Sequence, residues 1–187
     1  MIVSFTGAQS TGKTTLLNIL KAKNDDVHFV DEVTRRIKRE YNLPINEEGG
    51  VLTQSMIMSD HIANVYRKYD DDNLVVLDRC AIDGVVYTNW LFDNTDNISS
   101  AMFHMATEIY KAIRNEYDVI FYTDPNDVEL EDDGERSSDK KFRDDIIKLF
   151  NDTIKQHNNI VVLSGTVEER LEIIKKTLEK FKIDINI

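Results

Sequence analysis

The chain is short of the residues that staple, punctuate or anchor a protein. A single cysteine, Cys80, excludes an internal disulfide and suits a reducing compartment, so a cytoplasmic location is expected. Only 2 prolines and 7 glycines occur among 187 residues, which leaves no stretch that reads as a linker or a low-complexity tract. No apolar run approaches the roughly 20 residues that a membrane helix needs. Met1 leads straight into a short apolar segment, so no signal peptide is expected and no membrane association. Cations are also scarce: 23 Lys and Arg stand against 34 Asp and Glu, for a net charge of −11. A protein that grips a long nucleic-acid backbone usually presents a basic face. Nucleic acid is therefore disfavoured as a partner, whereas a small anionic substrate needs only a few well-placed cations. The length fits one domain spanning residues 1–187, and the sequence leaves the oligomeric state open, a homodimer included.

What is present is concentrated at the start. Gly7-Ala8-Gln9-Ser10-Thr11-Gly12-Lys13-Thr14-Thr15 fits G-x-x-x-x-G-K-[ST]. It follows an apolar run, Ile2, Val3 and Phe5, and precedes a helical pattern carrying Leu16, Leu17 and Leu20 on one side. Strand, glycine loop, helix is the context this phosphate-binding motif requires. Gly7 and Gly12 allow backbone conformations closed to other residues. The backbone N–H groups from Gln9, Ser10 and Thr11 through Thr15 can then surround a phosphate at a helix N-terminus. Lys13 can bridge two phosphates as a mobile charge, and the Thr14 hydroxyl can ligate Mg²⁺.

Further along, the largely apolar segments 27–32, 74–78, 117–122 and 160–163 read as strands. Helical patterns separate them at about 33–41, 51–69, 82–92, 99–115, 142–157 and to about 181. Strands alternating with helices imply an α/β fold with a parallel sheet and right-handed crossovers. In such a sheet ligands gather at the carboxyl ends of the strands. Asp31 and Glu32 stand at the second strand's end, Asp78 and Arg79 at the third's, and Ser164 and Gly165 at the fifth's. Asp78 after four apolar residues has the form of a metal-holding Walker B carboxylate, and a helix N-cap is the alternative. Successive strand residues face opposite sides, so one of Asp31 and Glu32 is expected to hold an acceptor hydroxyl. Arg79 is expected to contact an acceptor phosphate through its planar fork, and Arg35, Arg36 and Arg39 offer further cations. Asp83 and Tyr87 lie within reach of a sugar or base, and Arg136 and Arg143 bracket an acidic segment that suits a closing lid over about 124–143.

Four blocks resemble the small P-loop kinases related to the ribosylnicotinamide-kinase domain, a group that includes phage-type nucleotide kinases. They are Gly7 to Thr14; Asp31-Glu32-Val33-Thr34-Arg35; Leu77-Asp78-Arg79 with Asp83 and Tyr87; and Asp132-Asp133-Gly134-Glu135-Arg136 with Phe142-Arg143. The resemblance implies a three-layer P-loop kinase fold with a five-stranded sheet in the order 2-3-1-4-5 and a lid segment. It implies ATP and Mg²⁺ as cofactors, Glu32 and Arg35 as a paired element of the site, Arg136 and Arg143 as lid residues, and Gly165 close to the adenine. The expected activity is transfer of the γ-phosphate of ATP to a nucleoside monophosphate or nucleoside. Two rivals stand beside it: a polynucleotide kinase acting on a hydroxyl in DNA or RNA, and a nucleotide-gated switch or assembly ATPase with no acceptor. The cations near the acceptor position favour the monophosphate.

Overall fold

The computed structural model describes residues 1–69, 74–127 and 140–187. The strands β1 (Ile2–Thr6), β2 (His28–Val30), β3 (Val75–Asp78), β4 (Val119–Thr123) and β5 (Ile160–Leu163) form one sheet in the order β2-β3-β1-β4-β5. Every neighbouring pair is parallel; Val3, for example, lies beside Val76 of β3 and Val119 of β4. The order expected from the resemblance is the order observed.

The two-residue period of each strand sorts the core into two layers. Val75 and Leu77 of β3 and Ile120 and Tyr122 of β4 face a layer built by α3 (Val51–Tyr66), α4 (Ala81–Asn94), α5 (Ser100–Ile113) and α6 (Lys140–Ile154). The alternate residues Val3, Phe5, Val76 and Phe121 face α1 (Lys13–Lys23) and α7 (Val167–Glu179), where Leu16, Leu17, Leu20 and Ile174 pack. Helix α2 (Val33–Tyr41) buries only Val33 and Ile37, against Ile57 of α3, and so leaves its basic face open beyond the strand ends.

Helix starts follow local chemistry. Ser99 caps α5 by accepting a hydrogen bond from Met102 N at 3.2 Å. Thr166 and Glu169 form a reciprocal capping box on α7, with bonds of 3.3 and 2.7 Å. Two strand boundaries differ from the sequence expectation. β2 ends at Val30, which frees Asp31 and Glu32 from the sheet's strict alternation. β4 begins at Val119 rather than at Tyr117, whose hydroxyl instead accepts from Ala81 N at 3.1 Å and pins the start of α4. Among the described residues no helix is long and apolar enough to cross a membrane.

Candidate active site

The loop between β1 and α1 adopts the backbone that its glycines permit. Gly7 has φ +133° and Gly12 φ +87°, in the region that side chains disfavour. A Cβ on Gly7 would also stand 2.6 Å from Thr123 Oγ1. Thr123, at the carboxyl end of β4, is a loop-shaping residue that the sequence reading missed. Its hydroxyl donates to Thr6 O at 3.1 Å and lies 2.6 Å from Thr11 Oγ1, which in turn donates to Ala8 O at 2.9 Å. A threonine closing an adjacent strand beside a glycine loop is the one signal that could have found it.

Lys13 is buried, with Nζ donating to Gly7 O at 2.7 Å and Ala8 O at 2.6 Å. Burial, and then the Arg79 charge, lower its pKa to about 7. Two neighbours of the loop hold it from opposite sides. Tyr87 OH donates to Gln9 Oε1 at 3.1 Å. Arg170 donates from Nη1 to Thr11 O at 2.7 Å, from Nε to Gly165 O at 2.9 Å and from Nη2 to Asp124 O at 3.2 Å. One buried guanidinium thus ties the phosphate loop to the ends of β4 and β5. Gly165, at φ +85°, is thereby placed beside the loop. Losing one charge-assisted bond of this kind costs about 1.5–3 kcal/mol. Arg170→Leu is accordingly expected to lower Tm by roughly 3–12 °C at about 2–4 °C per kcal/mol for a chain of this size. An unchanged melting curve would show that the clamp is dispensable.

Beyond the loop runs a buried chain of alternating charge. Arg35 Nε donates to Glu32 Oε2 at 2.9 Å, Arg79 Nε to Glu32 Oε1 at 2.6 Å, and Arg79 Nη1 to Asp83 Oδ1 at 2.7 Å. Asp83 Oδ2 also accepts from Thr6 Oγ1 at 2.7 Å and from Cys80 N at 3.0 Å, so the chain is anchored to β1 and to the first turn of α4. Burial by itself would raise the Glu32 pKa, but Arg79 and then Arg35 outweigh it and hold the carboxyl at about 2. Arg79 has φ +82°, an uncommon conformation for a residue with a side chain. Its two carboxylate partners and the bond from its N–H to Phe5 O at 2.9 Å hold it there.

This arrangement redistributes the roles expected from the sequence. Of the adjacent acids, Glu32 is the buried member, while Asp31 points to solvent and pairs with Lys21 at the rim. Arg79, expected to contact an acceptor phosphate, has its Nε and Nη1 engaged by Glu32 and Asp83. A long-range pair across 47 residues leaves no mark in sequence spacing. Asp83 is likewise a buried anchor of this network. Of the lid, Gly134 and Arg136 lie outside the described residues, and Arg143 sits part-buried in the first turn of α6.

Two cavities flank Glu32. The first, about 550 Å³, lies between α1, α2 and α3 and is lined by Thr14, Asp78 and Glu32 among others. Asp78 Oδ1 is buried with no hydrogen-bond partner among the described residues. Burial, and then Glu32, raise the Asp78 pKa to about 6. Asp78 and Thr14, which line the same cavity, offer a carboxylate and a hydroxyl, oxygen donors suited to a hard cation such as Mg²⁺. The second cavity, about 520 Å³, runs from Gln9 over Glu32 and Arg79 to the basic face of α2.

A family model described as an AAA domain matches residues 2–170. The chain belongs to that family. This AAA domain has no match among curated proteins, but its fold recurs in solved structures. NadR in complex with NAD and AMP-PNP superposes with a TM-score of 0.72 at 18% identity over 100% of this chain and 51% of that one. The AAA domain thus spans about half the length of NadR. A deoxyadenosine kinase from M. mycoides with the products dCMP and dCDP gives 0.68 at 13% identity over 97% of this chain and 100% of that one. A thymidylate kinase from Candida albicans gives 0.62 at 13% identity over 99% and 96%. At such identities the common property is the P-loop kinase fold, sheet order included.

Proposed function

We propose that the chain is an ATP-dependent kinase that transfers the γ-phosphate to a nucleoside monophosphate or nucleoside, with the monophosphate the preferred acceptor. The observation that carries this reading is the charge of the second cavity. Among its described lining residues Glu32 is the single carboxylate, set against Arg35, Lys38, Arg39 and Arg79. With Arg79 engaged by its two carboxylates, Arg35, Lys38 and Arg39 on α2 are the cations suited to an acceptor phosphate. A neutral nucleoside would need none of them. NadR, the deoxyadenosine kinase and the thymidylate kinase, which share the fold, are consistent with such chemistry.

In this reading the glycine loop and Lys13 hold the transferring phosphates, and Thr14 and Asp78 hold Mg²⁺. When bound with ATP, the metal would neutralise charge on the phosphate oxygens. Glu32 accepts a hydrogen bond from a hydroxyl of the acceptor and so fixes the acceptor against the loop. An oxygen of the monophosphate's phosphate forms its bond to the γ-phosphorus as the bond from phosphorus to the β–γ bridging oxygen breaks and ADP leaves. With a nucleoside the attacking oxygen is a hydroxyl, whose proton passes towards the Glu32 carboxylate. At a pKa of about 2, Glu32 is a weak base but a fully ionised acceptor of hydrogen bonds. That suffices where the transition state is loose and asks little of the base. Arg136 and Arg143 serve as closing cations from the segment at 124–143, and Gly165 lies towards the adenine.

The test is ATP-dependent phosphorylation of matched nucleoside and monophosphate pairs, with an oligonucleotide alongside. The monophosphates should be the better acceptors. Lys38→Ala with Arg39→Ala should lower monophosphate kcat/KM by roughly 10- to 150-fold, the value of a charge-assisted contact, and leave ATP affinity intact. Activity confined to nucleosides, or equal losses within each pair, would overturn the preference.

A further inference from the structure

Behind the second cavity, and sharing Thr34, Asn46 and Arg79 with it, lies a narrow crevice between α3 and α4. Its free volume is about 20 Å³, close to what one water-sized group fills. Its wall holds an anomaly. His61 is only 2% exposed, yet its Nε2 has no hydrogen-bond partner among the described residues. A buried polar atom left unpaired costs about 1–3 kcal/mol, so an apolar side chain would serve the core better. Desolvation pushes the His61 pKa down to about 4, which keeps the imidazole neutral at ordinary pH. A neutral imidazole nitrogen can pair with a single uncharged donor or acceptor.

The surroundings preserve this opening. Gly84 of α4 faces His61: a Cβ there would come within 3.2 Å of His61 Cδ2 and 2.4 Å of Met58 Sδ. Met58 and His61 already fill that place, so α3 and α4 approach too closely there for any larger residue, and a side chain at 84 would displace the imidazole wall of the crevice. Gln54, one wall of the crevice, has its amide oriented by Thr88 Oγ1, which donates to Gln54 Oε1 at 3.1 Å. Asp83 and Arg79, two further walls, belong to the charge chain that ends on Glu32. The crevice is thus joined, residue by residue, to the carboxylate proposed to orient the acceptor hydroxyl.

We propose that this crevice is the specificity pocket of the acceptor site, in which His61 Nε2 hydrogen-bonds one small polar substituent on the acceptor's ring. The inference rests on the reading of the neighbouring cavity as the acceptor site. The crevice is too small for a ring, so the ring stays in the wider cavity and only its substituent of one or two non-hydrogen atoms enters. A ring bearing an apolar group or hydrogen at that position leaves His61 unpaired and binds less well.

The experiment uses the whole chain as wild type, His61→Leu and His61→Gln. The probes are nucleoside monophosphates paired so that the members differ in one polar ring substituent. Two readouts are taken: kcat/KM with ATP, and binding without ATP by calorimetry. Wild type should favour one member of a pair in both. His61→Leu should shrink that preference by roughly 5- to 150-fold, the range for a lost buried hydrogen bond. His61→Gln, which keeps a donor and an acceptor, should retain part of it and controls for folding. In wild type, the ¹⁵N shift of His61 Nε2 should move with the favoured member and not with its partner. A preference that His61→Leu leaves intact in both readouts overturns the pocket, as does a wild type that binds none of the probes. His61-dependent binding without any phosphate transfer would sustain the pocket and remove the kinase reading. Transfer with a ratio indifferent to His61 would do the reverse.

Discussion

Replacing Lys13 with alanine should abolish nearly all phosphoryl transfer while leaving the fold in place. The two halves of this expectation have separate causes. Lys13 is the cation held nearest the loop carbonyls, at 2.7 Å from Gly7 O and 2.6 Å from Ala8 O. In the proposed reaction it would stand where negative charge moves from the γ-phosphate towards the leaving oxygen. Removing one preorganised donor from such a position costs about 10²–10³ in kcat, and cations aimed at a transferring phosphoryl group reach about 10³–10⁵. The fold is spared because burial disfavours the charged form of Lys13, as its lowered pKa of about 7 records. Alanine removes that burden together with the bonds, and the loop keeps the Thr11, Thr123 and Arg170 contacts that shape it. The check is single-turnover transfer beside a thermal melt. A folded variant with ordinary turnover would remove the loop from the chemistry.

The Glu32 variants carry the second large effect, divided between catalysis and stability. Glu32→Gln keeps the shape and a carbonyl acceptor but removes the charge. Where Glu32 receives the proton of an attacking hydroxyl, as with a nucleoside acceptor, kcat should fall by about 10²–10⁴, the usual yield of a positioned acid–base group. With a monophosphate, which Glu32 only orients, the loss should be smaller. ATP affinity should barely change. Glu32→Ala goes further, because it withdraws a partner from Arg79, whose guanidinium is buried and otherwise balanced by Asp83. Breaking a buried ion pair by deleting one member costs about 3–5 kcal/mol. At about 2–4 °C per kcal/mol, Tm should fall by roughly 6–20 °C. The contrast is the informative part: the amide loses rate with modest loss of stability, and alanine loses both. Wild-type kcat in Glu32→Gln would leave Glu32 as a structural partner of Arg79 alone.

The legible and illegible parts of the molecule divide by range. β3 was readable because four consecutive apolar residues, Leu74 to Leu77, are buried on both faces. β5 was readable because its run Ile160 to Leu163 is wholly apolar, although Val162 is exposed at the sheet edge. The glycine loop was readable because its requirements are local: two special φ values, a lysine and a hydroxyl within eight residues. The choice between Asp31 and Glu32 was not, because β2 stops at Val30 and the alternation rule no longer applies beyond it. Nor could Arg79 be recognised as internally paired, since its partner Glu32 comes from a different strand end. Thr123 and Arg170 act on the loop from 112 and 159 residues away, and His61 looks from sequence like any histidine on a helix.

The Arg170 clamp also orders events in time. The guanidinium that fixes the Thr11 carbonyl leaves the ribosome 159 residues after Thr11 itself. β4 and β5, whose ends the same side chain joins, are likewise late. At about 5–20 residues per second of translation, the phosphate loop spends on the order of 10 seconds or more without its fastening. The growing chain therefore fastens its glycine loop only after all five strands have been made. Until then the loop has only the contacts of earlier neighbours such as Tyr87 and Thr123, and its tie to the end of β5 waits for α7.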